Sequence, residues 1–426
     1  MSSITPDGWR KAKLGANVKV QGGYAFKSEN FMEQGIPIIR ISNIKDGLID
    51  LSDVVHYMDC NIPNEFVVRN GDVLVAMSGA TTGKTGKYRI KNRAFLNQRV
   101  GLFRILANGN MDKIFLYYVT ARNEFTRNLL INAIGGAQPN VSGKQIEEIN
   151  ILIPPLSEQR KIASILSSVD SCIETTEAMI AKLQNLKKAL MQELLTKGLP
   201  PKVAAKYGIK KGGKFKDSSL GKIPEEWEVA KLENVCVRVT DGTHDTPKPS
   251  KYGFHLVTSK NLRDGRIEIK NSYMISNHDY HEVNKRSKVD AGDVLFGMIG
   301  TVGNPVVVEE RDLPFAIKNV GLFKTNGDFV LSQWLFYYLS SPSFLKSLDT
   351  QLSGSSQRFV GLGFLRELRV PKTRRKEMNI IVQLLNSIQY KISNVKKCCK
   401  KLQDLKKALM QDLLTGKVRV KVDDVA

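Results

Sequence analysis

The sequence has few residues of the kinds that build disulfide frameworks, metal centres or membrane spans. Its 426 residues include five cysteines and five histidines, and neither type falls into a spacing such as C-x-x-C that is typical of a structural zinc site. No run approaches the 18 consecutive apolar residues of a membrane helix, and the opening MSSITPDGWRK does not resemble a signal peptide. We therefore expect a soluble, cytoplasmic protein without a bound metal.

Negative charge is also scarce in this chain. Lysine and arginine total 64 against 42 aspartates and glutamates, a net charge of +22. Such an excess indicates a polyanionic partner, nucleic acid before a membrane surface, although a basic chain can also simply have a solvated surface. The hydrophobic content of 42% suffices for folded cores, and the length predicts two or three domains.

The second half of the chain repeats the first. The matches run from a tryptophan-containing segment near the start of each copy to a nearly identical segment at its end. The clearest pairs are PDGWRKAKL (6–14) with PEEWEVAKL (224–232), GDVLVAMSG (71–79) with GDVLFGMIG (292–300), and LQNLKKALMQELLT (183–196) with LQDLKKALMQDLLT (402–415). A tandem duplication of this kind predicts two copies of one architecture.

Each copy combines a globular part with a long helix. Short β-branched runs between Gly, Asn and Asp turns are typical of a compact mixed α/β (α+β) domain, and a long helical pattern follows. Between the copies, a lysine-rich stretch with scattered Gly and Pro has the composition of a mobile linker. The predicted boundaries are 1–155 for the first globular domain, 156–198 for the first helix, 199–222 for the linker, 223–372 for the second globular domain, 373–416 for the second helix and 417–426 for the tail.

Both helical patterns place apolar residues at alternating spacings of four and three, which is typical of a coiled-coil seam. The simplest interpretation is that one helix packs against the other, with Lys187 and Lys406 as polar exceptions within the pattern. The predicted seam residues are Ile162, Leu166, Val169, Ile173, Ile180, Leu183, Leu190 and Leu194 in the first helix, and Ile381, Leu385, Ile388, Ile392, Leu402, Leu409 and Leu413 in the second.

One glycine-rich segment, SGATTGKTGK (78–87), resembles the phosphate loop of an ATPase. A P-loop requires G-x-x-x-x-G-K-[ST] and a helix directly after it. Here Ser78 occupies the place of the first glycine, and the residues that follow are typical of a hairpin return. The counterpart in the second copy, IGTVGNPVV (299–307), has Asn304 and Pro305 in place of the lysine and threonine. We interpret the segment as a basic glycine turn.

Two other enzyme-like patterns also fail to recur in both copies. FVGLGF (359–364) resembles part of an S-adenosylmethionine site, but NVSGKQ (140–145) in the first copy does not, and the chain has no N-P-P-[YF] or D-P-P-[YF] motif. Asp264, Glu268 and Lys270 resemble a nuclease set, whereas the first copy has no such lysine. The sequence therefore gives little support to a methyltransferase or a nuclease.

What remains are polar, basic and glycine-rich loops in both copies. Lys, Arg, Asn, Gln and Thr side chains bond phosphates and base edges, and glycine lets a backbone approach closely. A solvated surface is an equally good explanation for any single residue. The candidate DNA-binding residues are Thr82, Lys84, Lys87, Arg89, Gln138, Asn140 and Lys144 in the first copy, and Lys248, Lys251, Gln357 and Arg358 in the second.

The chain resembles the specificity subunits of type I restriction–modification systems. The segments that carry the resemblance are IPPLSEQRKIASILSSVDSCIE (153–174), LKKALMQELLTKG (186–198), GIPIIRISNI (35–44), NGDVLVAMSG (70–79) and FLNQRVGLF (95–103). The second copy departs from the pattern at VPKTRRKEMNIIVQLL (370–385), which lacks the Pro-Leu-x-Glu-Gln core.

The resemblance implies a non-catalytic subunit that recognises double-stranded DNA. Each globular part would be a target recognition domain that reads one half of a bipartite, asymmetric site. The two long helices would be antiparallel, set the spacer between the half-sites and dock two methyltransferase subunits, with restriction subunits joining for cleavage. S-adenosylmethionine, ATP and Mg would belong to those partners, so no cofactor is expected in this chain. A stand-alone DNA-binding regulator or scaffold is the alternative.

Overall fold

The computed structural model describes residues 5–45, 47–58, 62–131, 139–352 and 359–422. The chain divides into two compact units. Unit 1 comprises Met1–Thr176 with Cys398–Ala426, and unit 2 comprises Glu177–Lys397. The chain passes from one unit to the other within the two long helices, so each unit contains one half of each helix.

Unit 1 is built on two small mixed sheets and a strand pair. One sheet has the order β6-β3-β10-β7 and the other β2-β11-β8-β9-β5-β4, while β1 pairs with β12. Three short helices, Lys113–Thr120, Asn123–Ile131 and Gly143–Glu147, accompany them. The strands are β1 (Arg10–Lys13), β2 (Val18–Gly22), β3 (Ile36–Ile39), β4 (Ile44–Lys45), β5 (Leu48–Ile49), β6 (Val55–Tyr57), β7 (Val67–Val68), β8 (Val73–Ala76), β9 (Thr85–Lys87), β10 (Ala94–Leu96), β11 (Val100–Ile105) and β12 (Asn150–Ile153).

Unit 2 repeats this plan with additions. Its sheets have the orders β16-β24-β21-β22 and β20-β17-β23, and β15 pairs with β25 as β1 does with β12. Its helices are Pro201–Lys206, Leu232–Val235, Asn277–Ser287, Phe329–Leu339, Pro342–Leu352 and Leu362–Glu367. The strands are β13 (Phe215–Ser218), β14 (Gly221–Pro224), β15 (Glu228–Lys231), β16 (Arg238–Asp241), β17 (Phe254–Thr258), β18 (Leu262–Arg263), β19 (Arg266–Ile267), β20 (Tyr273–Ile275), β21 (Val294–Gly297), β22 (Gly303–Val307), β23 (Phe315–Lys318), β24 (Val320–Lys324) and β25 (Arg369–Lys372).

The first long helix is Leu156–Leu194 and the second is Arg375–Leu413. The half-helices within each unit run antiparallel. In unit 1, Glu158 contacts Arg419 and Asp170 contacts Lys406, so the residue numbers fall along one segment as they rise along the other. All fifteen predicted seam residues are buried or half-buried. Together with the mixed globular parts, this antiparallel packing confirms the predicted fold class.

Residues 199–222 differ from the mobile linker that their composition suggested. Leu199, Ala204 and Ile209 are buried in the core of unit 2, and β13 and β14 form a hairpin across the end of this stretch. Apolar residues spaced among the glycines and lysines give the segment a buried side, which overrides the bias of its composition.

Candidate nucleic-acid interface

In unit 1, loops that are far apart in sequence meet at one edge of the sheets. The Tyr24 amide donates to the Leu96 carbonyl at 2.8 Å, and the Gln98 amide donates to the Tyr24 carbonyl at 2.9 Å. Met77 connects two further segments, because its amide donates to the Arg99 carbonyl and its carbonyl accepts from the Val141 amide. Four segments that are distant in sequence therefore come together. We call this line of loops (22–26, 77–84, 97–99 and 139–145) the loop edge of unit 1.

Unit 2 has the same backbone arrangement. The Thr243 amide donates to the Ile317 carbonyl at 3.1 Å, the Asn319 amide donates to Thr243, and the Val360 amide donates to Met298. The loop edge of unit 2 is accordingly formed by 241–246, 298–304, 318–319 and 359–361.

A glycine allows the closest approach in each loop edge. A Cβ atom on Gly23 would lie 2.2 Å from the Asn97 carbonyl oxygen, and one on Gly242 would lie 2.2 Å from that of Ile317. Any other residue would push the two loops apart. The shared glycine explains how both copies keep one backbone frame while the side chains around it differ.

The side chains of the two loop edges are indeed unlike. Unit 1 exposes Gln98 and Arg99 beside Tyr24, which is 37% exposed. Unit 2 instead has Lys318 and Asn319 at the corresponding bend, and Asn319 adopts a positive φ of 53°, a conformation that asparagine tolerates better than most residues. One frame thus presents two different sets of hydrogen-bonding groups.

Unit 2 also organises its edge around a buried carboxylate. Asp241 is 2% exposed, and it pairs with the exposed side chains of Arg286 and His244; the His244 Nε2 atom lies 3.0 Å from Asp241 Oδ2. The other ring nitrogen, Nδ1, lies 2.9 Å from Asn319 Oδ1. These contacts fix the direction of an arginine at the surface, where its remaining N–H groups can donate to an acceptor-rich ligand, while both ring nitrogens of His244 are already engaged within the protein.

Besides Arg89, five of the candidate DNA-binding residues are exposed: Lys84, Asn140, Lys144, Lys248 and Lys251. Asn140 forms a β-bridge with Ser78 within the loop edge of unit 1. The turn that contains Lys84 continues into β9, in agreement with the hairpin return predicted for it. These five residues are therefore placed where a polyanion can reach them.

Three other candidates have contacts within the protein. Thr82 is buried, and its hydroxyl contacts the carbonyl oxygens of Gly79 and Pro139. Arg89 pairs with Glu174 on the first long helix. Burial, together with the charges of Arg89 and Lys113, lowers the pKa of Lys87. Gln138, Gln357 and Arg358 lie outside the described residues.

Sequence reasoning missed a cluster that occurs once in each unit. In unit 1, the Trp9 indole donates to Glu158 Oε2 at 3.2 Å, and the Arg419 guanidinium lies 2.5 Å from Glu158 Oε1. In unit 2, Trp227 donates to Glu377 Oε2 at 3.1 Å, and Lys211 lies 2.7 Å from Glu377 Oε1.

The cluster shows that the second copy retains the glutamate of the Pro-Leu-x-Glu-Gln core. Glu377 is the counterpart of Glu158, so the departure at 370–385 spares the glutamate. The tryptophans and the glutamates repeat between the copies at nearly the same offset, and this shared offset is the signal in the sequence that could have identified the glutamates. In both units this cluster fastens the start of the globular part to the start of its own long helix.

A second repeated contact lies further along each helix pair. Lys406 lies 2.6 Å from Asp170 in unit 1, and Tyr118 donates to the same carboxylate at 2.7 Å. In unit 2, Lys187 occupies the matching position but meets the neutral Gln389 at 2.7 Å. Burial, followed by the charge of Lys396, lowers the pKa of Lys187. The polar exceptions of the seam therefore have defined partners.

Two kinds of site are absent from the part of the chain that the structure describes. Its residues include no group of three or more His, Cys, Asp or Glu side chains arranged to hold a metal ion. Over the same ranges, no helix combines the length and apolar character of a membrane span.

The fold and the two loop edges define a class of protein, one built from two tandem recognition modules that are carried on long helices. Residues 6–185 match the family model described as the type I restriction modification DNA specificity domain. The chain is 28% identical to the type I restriction enzyme MjaVIII specificity subunit of Methanocaldococcus jannaschii, over 98% of this chain and 94% of that protein.

Solved structures agree at the level of the fold. The S subunit of a type I restriction–modification system from M. genitalium aligns with a TM-score of 0.57 at 14% identity, covering 97% of both chains. A chain from a study of complex assembly in the type I R-M system aligns with a TM-score of 0.56 at 19% identity, covering 97% of this chain and all of that one. The chain is thus similar over nearly its whole length to type I restriction–modification specificity subunits.

Proposed function

We propose that this chain is the DNA sequence-specificity subunit of a type I restriction–modification complex, with each unit reading one half of a bipartite, asymmetric site. The observation that supports this function best is the pair of loop edges, because a common backbone frame with different hydrogen-bonding groups suits two modules that read different bases. A stand-alone regulator is not favoured, since relatives that match almost the whole chain are named as specificity subunits.

Within this proposal, Arg286 is the base-reading candidate of unit 2, and Gln98 and Arg99 are those of unit 1. The exposed lysines beside them, such as Lys84, would bind phosphates and fix the register. Arginine is well suited to a guanine edge and glutamine to an adenine edge. The neighbouring carboxylate of Asp241 would hold Arg286 in its reading orientation.

The remaining parts of the complex belong to the same proposal. Two methyltransferase subunits would dock on the long helices, and restriction subunits would join them. Those partners would supply the catalysis and bind S-adenosylmethionine, ATP and Mg, and the complex would act in the cytoplasm. This chain would contribute the choice of sequence.

The test is an exchange of one module. Residues 223–371 are replaced by the same region of a relative with another specificity, and methylated adenines are mapped after co-expression with the methyltransferase. The donor must keep the tryptophan at 227 and the tyrosine at 337, because these contact Glu377 and Asn386 of the second helix. We expect one half-site to change and the other to stay.

The control is the reciprocal exchange of residues 6–153, which should change only the other half-site. If both half-sites change together in either chimera, the modules do not read independently and the proposal is wrong.

A further inference from the structure

The second long helix has an exposed lysine stripe in its middle, formed by Lys396, Lys397, Lys400, Lys401 and Lys407. Lys400 lies 3.2 Å from Asp404, in a pair whose side chains are both more than half exposed, and such pairs contribute little. The other four lysines have no hydrogen bond or ion pair to any residue that the structure describes. Most of the charge of the stripe is therefore uncompensated within the chain.

The duplicated helix shows that a long helix of this protein does not need the stripe. The segment at 402–415 repeats that at 183–196, so the matching positions of the first helix are Glu177, Ala178, Ala181, Lys182 and Lys188. Five positive charges in the second helix thus correspond to a net charge of +1 in the first. Because alanine, glutamate and lysine are all good helix formers, the difference is not required for the helix itself.

The stripe begins beside the seam and extends round the exposed side of the helix. At about 100° per residue, Lys396, Lys400 and Lys407 fall within about 40° of one another. The buried seam residues Ile392 and Cys399 lie on a neighbouring face. The positive potential also reaches the seam, since the charge of Lys396 adds to burial in lowering the pKa of Lys187.

The row of lysines is long enough to reach several phosphates of a duplex backbone. From Lys396 to Lys407 the helix rises about 16 Å, at 1.5 Å per residue. The same length of duplex carries a phosphate roughly every 3.4 Å along each strand. Several phosphates of one strand can therefore lie within reach of the stripe.

An acidic protein is the competing partner, and the repeat argues against it. Two equivalent methyltransferase subunits, as proposed above, would meet two equivalent helices, yet only one helix has the stripe. A single duplex can be contacted by one helix alone, so it does not require a stripe on both.

Resting on the proposed function, we propose that the lysine stripe binds phosphates of duplex DNA whose bases are not read. It adds affinity for any sequence and leaves the choice of sequence to the two loop edges.

The test compares two charge-matched variants of the full chain. One is Lys396→Gln, Lys397→Gln and Lys400→Gln in the second helix. The control is Lys161→Gln, Lys182→Gln and Lys188→Gln, three exposed lysines of the first helix. Binding of a labelled 40-base-pair duplex of mixed sequence is measured by anisotropy over a series of salt concentrations. Each phosphate contact contributes about 0.9 to the slope of log K against log salt.

We expect the stripe variant to lose about 1 to 3 units of that slope and to bind the duplex more weakly, while the control keeps the wild-type slope. Equal slopes in the two variants would overturn the inference. So would a stripe variant that keeps its salt slope but no longer co-purifies with the methyltransferase, since the stripe would then bind protein.

The proposed function has a separate readout. Wild-type complex is used to select bound duplexes from a random pool, and sequencing then returns either a bipartite consensus or none. Absence of a consensus would contradict the proposed function, whereas the salt dependence measured on mixed-sequence DNA would still test the stripe. We expect the stripe variant to return the same consensus as the wild type.

Discussion

At the scale of single residues, Asp241 is the most informative group of the second loop edge. A buried carboxylate fixes the direction of an exposed arginine at this loop edge, whereas in unit 1 Gly22 occupies the matching strand position. The difference indicates that the two units contact different ligand groups through the same frame.

We predict that Arg286→Ala removes the preference for one base in the half-site read by unit 2. A bidentate arginine contact discriminates by about 1–3 kcal/mol, so the preference should fall at least several-fold. Asp241→Asn should weaken the same position, because the arginine loses its orienting partner. Selection from a random duplex pool measures both effects.

The control is Lys285→Ala, which changes the neighbouring residue on the same helix. It should leave the consensus unaltered, and the half-site read by unit 1 should be unchanged in all three variants. A full consensus retained by Arg286→Ala would contradict the assignment.

Glu377 gives a second prediction at the same scale, this time on stability. Burial by itself would raise the pKa of Glu377, but hydrogen bonds from Lys211, the Leu199 amide and the Trp227 indole lower it overall. Glu377→Gln leaves the charge of Lys211 buried, with a side chain only 5% exposed. We expect a loss of about 3–5 kcal/mol in the free energy of unfolding, measured by denaturant titration.

The sign of the pH dependence follows from the lowered pKa. Stabilisation by Glu377 is fully present above its unfolded pKa near 4.5 and is lost as pH falls through the lower folded value. The difference between wild type and Glu377→Gln should therefore shrink in acid.

Two further variants test whether the buried charge is the cause. Glu377→Gln combined with Lys211→Met should recover most of the loss, because no unpaired charge remains. Glu158→Gln in unit 1 should cost less, since its partner Arg419 is 40% exposed. A double variant no better than Glu377→Gln alone would contradict this explanation.

At the scale of elements, the two helix pairs differ in one contact. Lys406 has a carboxylate partner in Asp170, whereas Lys187 has the neutral Gln389. Gln389→Glu is nearly isosteric and supplies the missing charge. We predict a gain of up to about 1 kcal/mol in the free energy of unfolding, measured by denaturant titration, whereas Asp170→Asn should lower it.

The pH dependence separates an ion pair from general repacking. The lowered pKa of Lys187 means that the unfolded state binds more protons in the window just below pH 10.5, so wild-type stability rises with pH there. Gln389→Glu should reduce this rise. Gln383→Glu, an exposed change on the same helix, is the control and should change neither quantity.

The elements also show how far the sequence could predict this molecule. The long helices and their seam follow from apolar periodicity, and the mixed globular parts follow from strand-like runs between turns. The partners of Arg89 and Thr82 could not be predicted from the sequence, because an ion pair to Glu174 or a hydrogen bond to Pro139 depends on how distant segments meet. Residues 199–222 were misread for a related reason, since composition alone does not reveal which of a few apolar residues find a core.

At the scale of the whole molecule, the boundaries between the two compact units lie inside the long helices and not between the two sequence copies. Each unit combines the start of its own helix with the end of the other, and its tryptophan–glutamate cluster includes a cation from the segment that follows that other helix. Unit 1 takes Arg419 from beyond the second helix, and unit 2 takes Lys211 from beyond the first. Each unit is therefore completed by residues from the other copy.

This division tells where the helices can be lengthened. The chain crosses between units near Thr176 and near Lys397, away from the packed helix ends where Leu195 and Leu414 are buried. We predict that one added heptad in both helices, near Thr176 and near Cys399, preserves the seam phase. It lengthens each helix by about 10 Å, which is about three base pairs of duplex.

The spacer between the two half-sites should therefore grow by about three base pairs while the bases within each half-site stay the same, because both loop edges are untouched. Mapping methylated adenines measures both quantities. The control is four added residues in the first helix alone, which shifts the heptad phase and should lower stability instead. An active, folded complex with two added heptads and an unchanged spacer would contradict the role of the helices in setting that distance.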